Sequence, residues 1–455
     1  MSESGPTIAV AGAGPAGMAA AHRLARGGAR VTVFEAADAV GGRTRTDALD
    51  GWRVDAALQL LDSTFTHTLA LLDEAGGRAL AARAPGRDAL WRKGRPHEVV
   101  YGSVASMLAS GALPLAFKLR LGATYLPFLH RHAADLDSKA LERAAAAGLD
   151  GESIAAWGRR EQGGDFADLL AFPLLTTLYG ALPEEVSAGF YHALARQGAG
   201  LQVLALRGGA SGLCRLLADA VGRAGGVVKT SAAVRAVRTA GAGVEVSGDG
   251  WTEAFDAAVV AVPAPAAREI AGIETPRMAG WLDRVRVRPA VTLALLLDRP
   301  VGVRWFGLSF ARGEARAVAT LCAEENKGAG LVPDGRGLLV VFFLPEVGER
   351  LFDADADEAL RTAAPDLSKV FPGIEKTVRR AKLYRWPHAW SLFGPGYLSH
   401  LGALRRGGFD VEGRIAFAGD YLVGPSVEGA VTSGLHAADR LLQALRVDRV
   451  SSTAG

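Results

Sequence analysis

The sequence predicts an α/β fold, and three stretches predict it. Thr7-Ile8-Ala9-Val10-Ala11 is an apolar strand running into Gly12-Ala13-Gly14-Pro15-Ala16-Gly17, a G-x-G-x-x-G turn that opens a helix. A second strand, Val31-Thr32-Val33-Phe34, follows and ends on the acid Glu35. Far downstream, residues 256–262 read as a buried parallel strand stopped by Pro263, and residues 414–420 as a last strand entering a glycine turn. Alternation of strand and helix around such strands means a parallel sheet.

Within the first stretch each glycine has a task. Gly12 permits the tight turn, Gly14 lets backbone approach a pyrophosphate, and Gly17 lets helix and strand pack closely. The helix N-terminus, from Ala16 onward, offers free N–H groups and a partial positive charge to phosphates. Glu35 and the neighbouring Ala36 stand where a dinucleotide's adenosine ribose is held, with the Glu35 carboxylate as acceptor. The turn alone leaves NAD and FAD both open. Val40-Gly41-Gly42-Arg43-Thr44 then resembles the extended fingerprint of flavoproteins, in which the arginine and nearby amides reach the FAD phosphates.

Composition bounds the rest. A chain of 455 residues fits two or three domains, and 49% hydrophobic residues describe an ordered globular protein. A formal charge of +3 with no long basic run argues against nucleic acid as a partner. Two cysteines, Cys214 and Cys322, exclude a disulfide framework and fit a reducing cytoplasm. The N-terminus has no signal-peptide pattern, and no apolar run reaches bilayer length, so the expectation is a cytoplasmic protein, soluble or at most peripheral to a membrane.

Along the chain, residues 1–90, 205–270 and 400–455 are assigned to a discontinuous FAD-binding, Rossmann-like domain of the glutathione-reductase type. Residues 91–204 form a helical subdomain and residues 271–399 an inserted α+β substrate domain. In the helical part, Leu115-Ala116-Phe117-Lys118-Leu119-Arg120 running on to Tyr125–His130 sets cations among apolar residues. That pattern reads as an ordinary amphipathic subdomain, with membrane contact or entry of an apolar substrate as the functional alternative. Strands are expected at 227–229, 234–237 and 244–246, and in a second sheet at 293–297 and 338–344. A capped helix starts near 353–360, a last helix covers about 428–445, and the tail 451–455 frays.

Gly419-Asp420 and the following Val427-Glu428-Gly429-Ala430 make the second strong motif. Asp420, at a strand end, suits a ribityl or pyrophosphate-linked hydroxyl. The amides from Val427 to Ala430 open a helix that can stabilise negative charge at the N1–O2 side of a reduced flavin. With the N-terminal motifs, these residues make the chain resemble the flavin amine oxidase–phytoene desaturase–protoporphyrinogen oxidase superfamily over nearly its full length. Val234 matches the position whose backbone holds the adenine in that family. Segments around Ser153–Arg160, Gly208–Leu213 and Arg385–Tyr397 look most like the protoporphyrinogen-oxidase branch.

The resemblance implies noncovalent FAD, since neither cysteine falls in the stretch 393–397 where some relatives attach it. Two positions depart from the pattern. Ser391 stands where the branch usually has proline, and Ala57 where glycine is common in Asp55-Ala56-Ala57-Leu58-Gln59, the loop that passes the flavin and places Gln59 beside it. The implied activity is hydride transfer from a hydrophobic, conjugated or cyclic substrate to flavin N5, with O2 or another acceptor taking the electrons. Rival readings are a carotenoid or terpenoid desaturase or isomerase, a flavin amine oxidase, and a non-catalytic escort-type relative.

No Ser-His-Asp set, metal-ligand spacing or general base stands out, so no catalytic residue is named. Trp386, Trp390, Phe393 and Tyr397 are candidates for an aromatic wall on the flavin, with core packing as the alternative. Lys327, in Glu324-Glu325-Asn326-Lys327-Gly328, reads as a solvated loop lysine. Residues 286–297, where amine oxidases often carry a flavin-facing lysine, hold arginines instead, which counts against that reading.

Overall fold

The computed structural model describes residues 5–408 and 410–453, with side chains described as far as residue 446. Its first sheet has six strands in the order Val227–Lys229, Arg30–Phe34, Thr7–Ala11, Ala257–Val260, Ile415–Phe417 and Val411–Glu412. Every pairing is parallel except the last. The central strands are apolar at most positions because both faces are covered. Ile8, Val10, Val31 and Val33 face the helix Pro15–Arg26 and the C-terminal helix, while Ala9, Phe34, Ala258 and Val260 join the core on the other side.

The helix Pro15–Arg26 crosses the C-terminal helix Val427–Thr453 at small residues. A Cβ added at Gly434 would lie 2.1 Å from the Ala16 carbonyl oxygen, so only glycine permits this approach. The last helix runs past the expected residue 445 and includes Ser451–Thr453, expected to fray; Ala454 and Gly455 lie outside the described residues.

A second sheet has seven strands: Val378–Ser391, Val287–Leu297, Gly337–Phe343, Val318–Ala323, Gly307–Phe310, Arg87–Arg92 and Arg95–Val100. Here the structure departs from the expected boundaries. The hairpin 87–100, assigned above partly to the first segment and partly to the helical one, completes this sheet through parallel pairing of Asp88 with Gly307 and Leu90 with Ser309. One face, with Leu293, Leu295, Leu321, Leu339 and Val341, packs on the helices Pro345–Arg350 and Ala356–Val370. Asp355 caps the second of these by accepting from Glu358 N at 2.8 Å. Strand alternation places Asp88, Ser309, Thr320, Phe342, Thr292, Tyr384 and Trp386 on the opposite face.

That opposite face looks toward the helical subdomain, whose helices run from Val104–Ala109 to Ala188–Gln197. Thr177 joins the two, its hydroxyl 2.9 Å from that of Ser309. The subdomain core is aromatic: Tyr125, Trp157, Phe166 and His192 meet edge-on or tilted, and Tyr125 Oη lies 3.1 Å from His192 Nδ1. Burial pushes the His192 imidazole down to about 3, so the ring is neutral. Among the described residues no helix is long and apolar enough to cross a membrane.

Candidate functional site

The first glycine turn is built for a group that is approached by backbone. Gly12 has φ +102°, a conformation glycine adopts freely, and donates to Phe34 O at 2.8 Å. Gly14 is the N-cap of the helix Pro15–Arg26, and no heavy atom lies within 4 Å of where its Cβ would be. Gly17 must be glycine for a different reason: its Cβ would fall 1.9 Å from Gly12 O. Across the turn, Gly41 donates to Ala13 O at 2.9 Å and Gly42 comes over Gly14, so two glycine-rich segments enclose one cradle. The Thr44 hydroxyl donates to Gly41 O at 2.8 Å, closing this second turn rather than reaching outward.

Glu35 ends its strand beside the cradle, accepting from Ala13 N at 2.7 Å and Ala37 N at 2.9 Å. A carboxylate has roughly four acceptor sites, so capacity remains for ribose hydroxyls. Ala36 follows it at the surface. Ser231 N and Ala232 N bond to Ala37 O and Glu35 O, which lays the segment entering Val234 alongside the same acid.

Arg43 draws the two ends of the chain together. Its guanidinium donates to both Asp420 oxygens, at 3.1 and 3.0 Å, and to Ala389 O at 2.8 Å. About a third of the Arg43 side chain, 34%, stays exposed, so these bonds do not cover it fully. Leu58 N bonds to Arg43 O at 3.3 Å, bringing the loop with Gln59 to the same point. Beyond Gly419, whose N–H is held by Ser433 Oγ at 2.8 Å, the last helix begins.

Two details correct the expected use of that helix start. The amides of Gly429 and Ala430 are already bonded to Ser426 Oγ and Ser426 O, so Val427 and Glu428 provide the amides at the helix head. The Glu428 side chain turns to another helix, Thr66–Glu74, accepting from His67 N and Thr68 N at 2.9 Å and from Thr68 Oγ1 at 2.8 Å. It caps that helix as a charged acceptor.

The aromatic candidates divide. Tyr397 is core: it stacks on Phe393 with centroids 4.2 Å apart, and its hydroxyl donates to Tyr421 O at 2.8 Å. Phe393 is 2% exposed. Neither belongs to an open wall. Trp386 and Trp390 are only half-buried, on the strand that carries Ala389 to Arg43, and Trp386 Nε1 has no hydrogen-bond partner among the described residues. Ser211 Oγ, beside the second turn, is likewise buried without a partner. A cradle open at Gly14, a partly exposed Arg43 and an orphaned indole N–H fit a large dinucleotide cofactor.

Lys327 overturns its expectation outright. It is 1% exposed, and its ammonium donates to Asp55 at 2.7 Å and to Glu324 and Gln59 at 3.3 Å. The apolar strand Val318–Ala323 runs straight into Glu324, and burial of that strand's end carries the acid and its i+3 lysine inside. Sequence reasoning also passed over Asp88. It is half-buried, Gly307 N donates to it at 2.9 Å, and desolvation pushes its carboxyl up to about 6. Arg288, one of the arginines on the strand Val287–Leu297, is engaged by Glu185 at 2.6 Å and Glu349 at 2.7 Å.

The profile of the family described as flavin containing amine oxidoreductase matches residues 15–442. The chain belongs to this family. It is similar to a putative flavin-containing monoamine oxidase of Mycobacterium tuberculosis, 28% identical over 276 residues. That match takes in 59% of each chain, so this protein spans less than two thirds of that relative. Among solved structures, a putative protoporphyrinogen oxidase from Exiguobacterium sp. 255-15 superposes with a TM-score of 0.75 at 16% identity, covering 97% of this chain and 99% of its own. Cyclohexylamine oxidase from Brevibacterium oxydans IH-35A gives 0.74 at 22%, covering 97% and 100%. Both likenesses establish the fold: a mixed α/β, Rossmann-like FAD-binding architecture. The flavin is FAD, and the two thiols, Cys214 and Cys322, are buried away from the stretch 393–397.

Proposed function

We propose that the protein is an FAD-dependent oxidase or dehydrogenase acting on a hydrophobic, conjugated or cyclic substrate, in the manner of protoporphyrinogen oxidases. Bound FAD supplies the hydride acceptor, and O2 or another acceptor takes the electrons onward. The observation that carries the reading is the Arg43–Asp420–Ala389 junction, which sets a cradle from both chain ends beside the half-buried Trp386 and Trp390. Gly12, Gly14, Ala16, Gly17, Gly42 and Arg43 hold the phosphates, and Glu35, Ala36 and Val234 the adenosine. Thr44, Gly419 and Ala430 keep these turns in shape. Asp420 and the head amides of Val427 and Glu428 lie on the flavin side, with Gln59 in the loop beside it.

No side chain in this site is asked to move a proton. The chain binds, orients and excludes water, and the helix head offers fixed N–H dipoles to developing negative charge. The exposed Leu115, Leu119 and Leu126 of the helical subdomain give a substrate of this kind an apolar surface to approach, and fit a peripheral membrane contact.

A second reading, oxidation of an amine, is favoured by one feature. Asp88 lies on the sheet face turned to the helical subdomain, near Tyr101, and a carboxyl there suits a cationic group. Anaerobic mixing of the FAD-loaded protein with porphyrinogens, polyenes and hydrophobic amines separates the two. Bleaching of the flavin bands by a porphyrinogen supports the first reading, and bleaching by amines alone replaces it with the second. Colourless protein that takes up no FAD removes both.

A further inference from the structure

The buried Lys327 is used by nothing described so far, and its surroundings are unusual. Asp55 is held at one oxygen by Ala210 N at 2.9 Å and by Thr46 Oγ1 at 2.5 Å, leaving its other oxygen to the ammonium. Glu324 shares the same ammonium through one oxygen, while its other oxygen is buried with no partner. Two carboxylates therefore compete for one cation in a space closed to water. Replacing such a cluster by apolar residues of similar volume is commonly neutral or stabilising, so stability alone gives no reason for it. What the cluster does geometrically is specific. Lys327 grips the loop 55–59 at both ends, at Asp55 and at Gln59, and the residue between them, Leu58, is the one bonded to Arg43 O.

We infer that Lys327 is a positioning residue for the cofactor: through Asp55 and Gln59 it fixes the loop 55–59 against Arg43, and so sets the seat of the flavin. The inference rests on the FAD reading above. Glu324 tunes the grip. Burial raises its carboxyl to about 7 against the opposing pull of Lys327, with Asp55 and Glu325 adding to the rise. The other titratable groups facing this pocket are the Cys322 thiol, itself pushed up by burial, and Asp88. When Glu324 ionises, a second full carboxylate draws the ammonium from Asp55 and Gln59, and the loop loosens.

The test uses the full-length apoprotein titrated with FAD between pH 6 and 8, following flavin fluorescence and the visible spectrum of the bound form. Wild-type protein is expected to bind FAD more weakly as pH rises, by at least threefold. Lys327→Met alone leaves two buried carboxylates uncompensated and can fail to fold, so the deciding variant is Lys327→Met with Asp55→Asn and Glu324→Gln. Its cluster is neutral, and the amide oxygen that replaces a carboxylate oxygen at position 55 can keep the bonds from Ala210 and Thr46. A folded triple variant that binds FAD at least tenfold more weakly, with a shifted flavin spectrum and no dependence on pH over this range, supports the role. Wild-type affinity, spectrum and pH dependence in that variant overturn it while leaving the FAD reading intact. Wild-type protein that binds no FAD overturns both.

Discussion

Replacing Gly434 by alanine asks whether the crossing of two helices sets the glycine turn proposed to hold the phosphates. The added Cβ would sit 2.1 Å from Ala16 O, 3.0 Å from Ala16 C and 3.2 Å from Ala19 Cβ. Comfortable carbon contacts begin near 3.5 Å, so the helices must part by about 1 Å. The obstacle is backbone in the first turn of the helix Pro15–Arg26 and cannot rotate away. Overpacking of this kind costs about 1–3 kcal/mol. Removing a glycine from a helix interior returns roughly 0.5–1 kcal/mol, leaving a net loss of about 0.5–2 kcal/mol. Because Ala16 lies two residues after Gly14, the displacement falls on the cradle itself. FAD affinity should drop by about 2- to 30-fold, the same energy expressed as a binding constant. Titration of apoprotein with FAD and a thermal melt read both effects. Gly222→Ala is the control, since nothing lies within 4 Å of its Cβ. If Gly434→Ala behaves like that control in both assays, the crossing does not govern the cradle.

Glu35→Ala removes the acceptor proposed for ribose and also releases Ala13 N and Ala37 N. FAD retention should weaken by about 1–3 kcal/mol, the scale of a hydrogen bond to a charged group, and unchanged affinity in the same titration would refute the role. Asp88→Asn bears on pH. The folded-state carboxyl titrates at about 6, above its usual value of 3.8, so the folded protein holds the proton more tightly. Wild-type stability from this group is therefore lost as pH rises from about 4 to 6 and stays lost above that window. The asparagine variant, which can still accept from Gly307 N, should gain up to about 3 kcal/mol above pH 6 and nothing below pH 4. Chemical denaturation at pH 4 and pH 7.5 measures the difference, and an equal effect at both contradicts the assignment.

Legibility in the sequence followed how local the cause was. The strands Thr7–Ala11, Arg30–Phe34 and Ala257–Val260 were plain because a doubly covered parallel strand is a near-continuous apolar run, broken here only at Thr7, Arg30 and Thr32. The cradle was plain too, since Gly12, Gly14 and Gly17 each answer a steric demand within a few residues. The partner of the hairpin 87–100 was hidden, as its pairing with Gly307–Phe310 joins segments about 220 residues apart that leave no mutual mark. Aromatic character did not tell Tyr397, stacked in the core, from Trp386, half-buried beside Arg43's anchor. Glu428 reads as a cofactor residue from its place in the Gly419–Ala430 motif, yet its carboxylate serves Thr66–Glu74. Lys327 misled for a simpler reason. A run of charges after a strand usually means solvent, and only the depth of Val318–Ala323 shows that it does not.

The bond between Arg43 and Asp420 spans 377 residues of chain, and the first sheet interleaves strands from both ends. During synthesis Arg43 emerges 377 residues ahead of Asp420, and until then that sheet lacks the strand Ile415–Phe417. Closure of so distant a contact is slow and leaves apolar strand edges waiting. The helical subdomain and the second sheet can condense in the interval. The junction of Arg43 with Asp420 can therefore close only after residue 420 has emerged, and a ribosome that stalls before it leaves that junction unmade.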